Sequence, residues 1–119
     1  EQVRADLKVA MAAFHQRFDA LMLPTLPITA FEAGADVPAG SGMRDWTEWT
    51  PFTYPFNMTG QPAVSVPCGF DGDGLPIGLQ FVAPRYRDDI ALRLAFAYQS
   101  AHPEPLPRLP LTASDPGPG

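Results

Sequence analysis

Three side chains in the sequence have reactive groups suited to covalent or acid–base catalysis, namely Ser65, Cys68 and His15. Ser65 lies in the strand-like run Val-Ser-Val, without the Gly-x-Ser-x-Gly pattern that exposes a nucleophilic serine between a strand and a helix. Cys68 has no basic neighbour to favour its thiolate, so a buried thiol is predicted. His15 adjoins an apolar helical stripe with no acid or nucleophile beside it, which favours a partly exposed surface histidine. The residues themselves predict no catalytic set.

The acidic and glycine-rich stretches predict no metal and no cofactor. Asp45 and Glu48 lie in one loop, where two acids are usually solvated, and a metal ion would need more ligands than the chain clusters. Residues 31–44 contain several glycines but neither the Lys-Ser/Thr pair nor the Gly-x-Gly-x-x-Gly spacing of phosphate-binding loops. This segment is predicted to be a flexible loop.

Two indole side chains, Trp46 and Trp49, stand three residues apart, which is one helical turn if the segment is helical. They allow two interpretations that the spacing leaves equally open. The rings either wall a pocket that accepts aromatic groups or anchor the loop on the core.

Hydrophobic spacing predicts the elements that must position these residues. Apolar residues three and four apart predict an amphipathic first helix, with a stripe formed by Val3, Leu7, Met11, Phe14 and Phe18. The apolar run 20–23, closed by Pro24, predicts a buried strand that leaves in extended form.

The clearest local signal is a hairpin. Residues 63–66 and 79–82 have strand character, and between them the turn sequence Asp-Gly occurs twice, at residues 71–74. Nearby prolines predict a short or bulged ladder, or an edge strand. A last helix is predicted from an N-cap at Asp88 to about residue 101. The chain is therefore predicted to have an α/β fold, with helices packed on a short sheet.

Two blocks carry a resemblance to a known family. Residues 52–69, FTYPFNMTGQPAVSVPCG, followed by GLPIGLQ at 74–80, resemble the C-terminal part of amidase signature enzymes, and DALMLPT at 19–25 resembles the segment before it. The resemblance implies a fragment of a larger mixed-sheet fold that hydrolyses carboxylic amides, C–N bonds other than peptide bonds, through a Ser-Ser-Lys triad. It implies no cofactor.

The triad of that family is not visible in this chain. Lys8 lies on the predicted surface helix, and Gly40-Ser41-Gly42 has a single serine in place of the family's double-serine pattern. We therefore expect the triad to lie upstream, outside this chain. The chain would supply structural elements and part of the substrate pocket.

The resemblance also implies which residues contact substrate. The end of the first strand faces the cleft in this family, so Pro24 and Thr25 are candidate substrate-binding residues, together with Trp46, Trp49 and Thr50. In the glutamine-using tRNA amidotransferases of the family, an acidic residue holds the amino group of glutamine where this chain has Thr50. A hydroxyl cannot supply that charge, so a small neutral aryl or alkyl amide is the expected substrate.

Composition limits the partners and the compartment. A formal net charge of −5 argues against a nucleic-acid surface. The uncharged residues 49–70 are cut by prolines and glycines, which argues against a membrane span. A single cysteine is compatible with the cytoplasm. We expect residues 1–101 to form the amidase portion and residues 102–119 a proline-rich tail.

Two hypotheses for the function come from different classes. The first is the C-terminal part of an amidase, with a homodimer as one possible assembly. The second is a non-catalytic interaction module or pseudoenzyme remnant that docks to a partner chain. Upstream sequence with the Ser-Ser-Lys pattern would favour the first.

Overall fold

Helices and strands alternate along the chain in the computed structural model, which describes residues 1–103. The predicted proline-rich tail lies almost wholly outside the described residues. The elements in chain order are α1 (Gln2–Phe14), β1 (Leu21–Pro24), a 3-10 turn (Trp46–Trp49), α2 (Tyr54–Thr59), β2 (Ala63–Phe70), β3 (Pro76–Val82) and α3 (Asp88–Ala101). The predicted α/β class is confirmed.

The three strands form one antiparallel sheet in the order β1-β3-β2. Leu21 of β1 pairs with Val82, and Ala63 of β2 pairs with the same residue from the other side. The central strand β3 is therefore hydrogen-bonded along both edges, and it brings residues from distant parts of the sequence into register.

The predicted hairpin is confirmed and is longer than its apolar runs indicated. The carboxylate of Asp71 accepts hydrogen bonds from the backbone N–H groups of Asp73, at 2.9 Å, and Leu75, at 2.8 Å. Gly74 has a φ of 80°, in the left-handed region that glycine tolerates best. The ladder is irregular between Pro67 and Phe70, as the prolines predicted.

The core lies between the sheet and α3. Val66 and Phe81 of the sheet pack with Ala95 of the helix, and half-buried side chains surround them, namely Val64, Leu79, Leu94 and Tyr98. The small side chains of Ala91 and Ala95 let the helix approach the sheet closely. The predicted burial of this helix is confirmed for one face, whereas Leu92 and Phe96 on the other face are exposed.

A buried hydrogen-bond network joins the ends of α1, α2 and β3. The Nε2 of Gln61 lies 2.8 Å from His15 Nε2 and donates to the carbonyl oxygen of Ala83 at 3.2 Å. Thr59 Oγ1 lies 2.8 Å from Gln61 Oε1. A neutral imidazole with its proton on Nδ1 fits these contacts, because Nδ1 lies 3.1 Å from the Phe18 carbonyl. His15 is therefore a structural residue, half-buried as expected.

Three sequence expectations about element boundaries were wrong. The first helix ends at Phe14 and not near Phe18, because the chain turns where the His15 ring contacts the Phe18 carbonyl oxygen. The N-cap of the last helix is Arg87 and not Asp88. Helix α2 was not predicted. Its Pro55 lies in the first turn, where a missing N–H is tolerated, and Gly60 ends it with a φ of 70°.

Candidate functional site: a cleft beside the sheet

A cleft of about 860 Å³ lies beside the hairpin strands. One side is the segment 25–35 that follows β1, and the other is formed by residues 65–67 of β2 and 76–78 of β3, with Trp49 contributing its indole. Most of its lining is apolar. The polar side chains in it therefore decide what a ligand can hydrogen-bond to.

Two hydroxyl groups meet in the cleft. Thr25 Oγ1 and Ser65 Oγ lie 2.5 Å apart, although the two residues belong to different parts of the chain. The backbone fixes Thr25 at the end of β1, because its N–H donates to the carbonyl oxygen of Gly78 at 2.8 Å. Ser65 is fixed by its pairing with Gln80 on the other edge of β3.

The hydroxyl pair depends on the absence of a side chain at position 78. A β-carbon on Gly78 would lie 2.8 Å from both hydroxyl oxygens and 3.1 Å from the β-carbon of Thr25. Such distances are too short for carbon and oxygen atoms without a hydrogen bond. Glycine is therefore required at this strand position for space.

Trp49 combines the two roles that its sequence left open. Its Nε1 donates to the carbonyl oxygen of Asp36 at 2.9 Å, and its ring meets that of Phe31 edge-on, with centroids 5.5 Å apart. These contacts anchor the long loop. The same residue lines the cleft.

The hairpin turn is tied to the cleft segment through Asp71. A hydrogen bond from the Thr29 side chain is the main cause that lowers the pKa of the Asp71 carboxyl, followed by the bond from the Leu75 N–H. Thr29 also lines the cleft. The turn thus helps to hold the segment after β1 in place.

The other candidate site residues lie around the cleft and do not line it. Pro24 is part of β1 and pairs with Leu79. Trp46 is 55% exposed. Thr50 is buried, and its hydroxyl lies 3.2 Å from the Trp46 carbonyl oxygen. Substrate contact by Pro24, Trp46 and Thr50 stays a prediction.

The groups able to activate a nucleophile lie elsewhere. Lys8 and His15 line a second cavity of about 210 Å³, which also includes Arg85 and Gln61. Cys68 Sγ contacts the Ile77 carbonyl oxygen at 3.5 Å. Over residues 1–103, no group of three or more His, Cys, Asp or Glu side chains is arranged to hold a metal ion. In the same residues, no helix has the length and apolar character needed to cross a membrane.

Sequence reasoning missed Ser65 and Gly78 as members of the site. Ser65 was considered only as a nucleophile, and Gly78 only as a place of close backbone approach or an unusual turn. The alternation of side chains along β2 places Ser65 on the face opposite to the buried Val66, which was a usable signal. The meeting of Ser65 with Thr25 depends on strand order, which no local pattern contains.

Comparison with known proteins gives a consistent result. The sequence model of the family described as Amidase matches residues 1–92. A glutamyl-tRNA(Gln) amidotransferase, in its A-type chain from Prochlorococcus marinus (strain MIT 9313), is 43% identical over 103 residues, which are 85% of this chain and 20% of the relative. The chain thus spans about one fifth of the length of the curated relatives that it matches.

Solved structures share the same fold. 6-Aminohexanoate cyclic dimer hydrolase superposes with a TM-score of 0.72 and 33% identity, over 85% of this chain and 23% of that one. A bacterial aryl acylamidase of the amidase signature family gives a TM-score of 0.70 and 29% identity, over 87% and 22%. With the family match over most of its length, the chain belongs to the amidase signature family.

Proposed function

We propose that this chain is the part of a carboxylic-amide hydrolase that forms one wall of the substrate cleft. The observation that carries the proposal is the cleft itself, formed within a segment of the amidase family by Thr25, Trp49 and the paired strands β2 and β3. Its mainly apolar lining suits the organic part of an amide substrate. The Ser-Ser-Lys triad belongs, in this proposal, to the larger polypeptide outside the 119 residues.

The described residues favour a contribution to the cleft over independent catalysis. Hydrolysis through an acyl intermediate needs a nucleophile next to a proton acceptor. Ser65 has the hydroxyl of Thr25 as its partner, which is no base, and Lys8 lines the other cavity. We expect the 119-residue chain alone to show no amidase activity. Turnover that survives purification and is lost on a single substitution in this chain would contradict that expectation.

The proposed substrate is a small neutral amide with an aryl or alkyl group. None of the residues 1–103 that line the cleft is a lysine, arginine or histidine, so the cleft offers no cation to a carboxylate. The similarity to an aryl acylamidase supports the same class of substrate. Thr50, with its hydroxyl directed to backbone oxygens, supplies no charge for an amino group.

A segment exchange tests the proposal. The matching segment of the aryl acylamidase is replaced by residues 1–103, and release of aniline from acetanilide is measured. We expect hydrolysis by the chimera and none when the nucleophilic serine of the acylamidase part is changed to alanine. A chimera that melts as cooperatively as the acylamidase but lacks activity would contradict the proposed function.

A second candidate, the interaction module, is favoured by one observation. The outer face of α3 exposes Leu92, at 63%, and Phe96, at 75%, one helical turn apart. In an amidase this face would be covered by the rest of the polypeptide or by a second copy in a homodimer. In an interaction module it would receive a partner chain. The free thiol of Cys68 is compatible with the proposed cytoplasmic location.

A further inference from the structure

Thr25 and Ser65 form a polar point in an apolar cleft, and we propose that together they bind an uncharged hydrogen-bond acceptor of the substrate. The acceptor would be a carbonyl or ether oxygen on the part of the substrate that fills the cleft. This inference rests on the proposed function, since it assigns the specificity of the same cleft. The two hydroxyls are specificity-determining groups and not catalytic ones.

Counting protons shows what the pair can offer. Each hydroxyl has one proton to donate and two lone pairs to accept with. One proton is used between the two oxygens, which lie 2.5 Å apart. The structure gives neither hydroxyl a second hydrogen-bond partner within residues 1–103. One proton therefore remains for an outside acceptor, and the bond between the hydroxyls polarises it further.

The other polar side chains of the cleft are occupied or exposed. The Thr29 hydroxyl bonds to Asp71, and the indole N–H of Trp49 is used by the Asp36 carbonyl. Glu32 is exposed to solvent and is the one charged side chain of the described lining. The Thr25–Ser65 pair is thus the donor left for a ligand inside this cleft.

The charge of the surroundings selects the type of acceptor. A carboxylate in the cleft would face Glu32 with no cation to balance it, so an anion is disfavoured. A neutral carbonyl oxygen loses little solvation on entry and gains the free hydroxyl proton. A hydrocarbon of the same shape would leave that proton without an acceptor.

Gly78 makes the pair possible and accessible. A side chain at this position would occupy the space over which the two hydroxyls meet. The missing β-carbon thus leaves room for the hydroxyls to converge from both neighbouring strands.

The test compares ligands of one shape with the ¹⁵N-labelled 119-residue chain. Acetophenone, α-methylstyrene and benzoate carry a carbonyl, a methylene and a carboxylate oxygen at the same position on a phenyl ring. We expect acetophenone to shift the amide signals of Thr25, Ser65 and Gly78 and to bind about three- to tenfold more tightly than α-methylstyrene, as one net hydrogen bond implies. Benzoate should bind more weakly than acetophenone.

Variants separate the hydroxyls from the shape of the cleft. In the double variant Thr25→Val with Ser65→Ala, acetophenone should bind no more tightly than α-methylstyrene. Thr25→Ser keeps both hydroxyls and should keep the preference. Equal binding of acetophenone and α-methylstyrene by the unmodified chain, tighter binding of benzoate, or an unchanged preference in the double variant would each overturn the proposal.

The same ligands serve as inhibitors of the acylamidase chimera. An active chimera that is inhibited equally by acetophenone and α-methylstyrene would refute the role of the hydroxyl pair and leave the proposed function standing. An inactive chimera, with a clear preference for acetophenone in the isolated chain, would refute the proposed function and leave the hydroxyl pair as a binding point.

Discussion

Gly78 shows how one residue can determine the chemistry of a whole cleft. Its backbone carbonyl accepts from the Thr25 N–H, and its missing side chain leaves room for two hydroxyls from neighbouring strands. Strand positions usually favour β-branched residues, so a glycine inside β3 weakens the strand locally. Here that cost accompanies a contact that no larger residue permits.

Replacing Gly78 with alanine should destabilise the chain by about 1–3 kcal/mol, the usual range for forcing an extra carbon into packed space. Urea unfolding monitored by tryptophan fluorescence gives the free energy of unfolding. Gly72→Ala is the matched control, because a β-carbon there meets nothing within 4 Å and the backbone needs no positive φ. The control should stay within about 0.5 kcal/mol of the parent. Equal effects of the two substitutions would contradict the close approach at Gly78.

Asp89 provides a pH-dependent contribution at the start of α3. Both carboxylate oxygens accept from the Arg87 guanidinium at 2.8 Å, and these hydrogen bonds lower the pKa of Asp89 to about 2. Because the pKa is lower in the folded chain, the stabilisation is present above the ordinary value of 3.8 and is lost as the pH falls towards 2.

A carboxyl-detected NMR titration should therefore find the Asp89 midpoint near 2. The substitution Arg87→Gln removes the charge and the paired N–H donors, so the midpoint should rise towards 3.8. The carboxyl of Asp71, which is held by the hairpin turn and Thr29, serves as the internal reference. A midpoint of Asp89 that does not move in Arg87→Gln would show that the pair does not form in solution.

At the scale of elements, the ends of α1, α2 and β3 meet at one amide side chain. Gln61 is 9% exposed and touches His15, Thr59 and the carbonyl of Ala83, each from a different element or its flank. Apolar packing alone does not fix how these ends are oriented. Directional hydrogen bonds to one buried group do so, and they leave no buried side-chain polar atom unpaired within residues 1–103.

Gln61→Leu should lower the free energy of unfolding by about 1–3 kcal/mol, because the shape is nearly kept while the Ala83 carbonyl and His15 lose their partner. The exposed Gln99 on α3 offers a control, and Gln99→Leu should change the stability by less than about 0.5 kcal/mol. Urea unfolding compares both with the parent chain. A Gln61→Leu variant as stable as the control would mean that water replaces the network at no cost.

At the scale of the whole molecule, the helix layer on the sheet has one exposed face. Leu92 and Phe96 follow each other on the outer face of α3, away from the core formed by Ala91 and Ala95. A chain that spans about one fifth of its relatives is expected to expose surfaces that its longer relatives cover.

The double substitution Leu92→Ser with Phe96→Ser should reduce self-association of the 119-residue chain without lowering its melting temperature by more than a few degrees, since both side chains are exposed. Sedimentation velocity over a range of concentrations measures the effect. Arg93→Ser, on the same exposed helix, is the control and should leave association unchanged. Unaltered association in the double variant would place the contact on another surface.

The sequence predicted the parts of this molecule that depend on local patterns. The hairpin followed from Asp-Gly turns between apolar runs, and the first and last helices followed from apolar spacing. Helix α2 was missed because Pro55 was taken as a break, although proline is tolerated in a first turn. The contact of Thr25 with Ser65 could not be predicted, because it depends on both strands pairing with β3.

The order of strands in the sheet has a consequence for folding. β2 and β3 are joined by a tight turn and can pair early, whereas β1 reaches β3 only after the long segment between Pro24 and Leu79 has closed. Thr25 meets Ser65 only at that later step. We therefore expect the cleft to be the last region to form and the hydroxyl pair to report on it. Slow docking of β1 would leave the hairpin protected from hydrogen exchange before the Thr25 amide is.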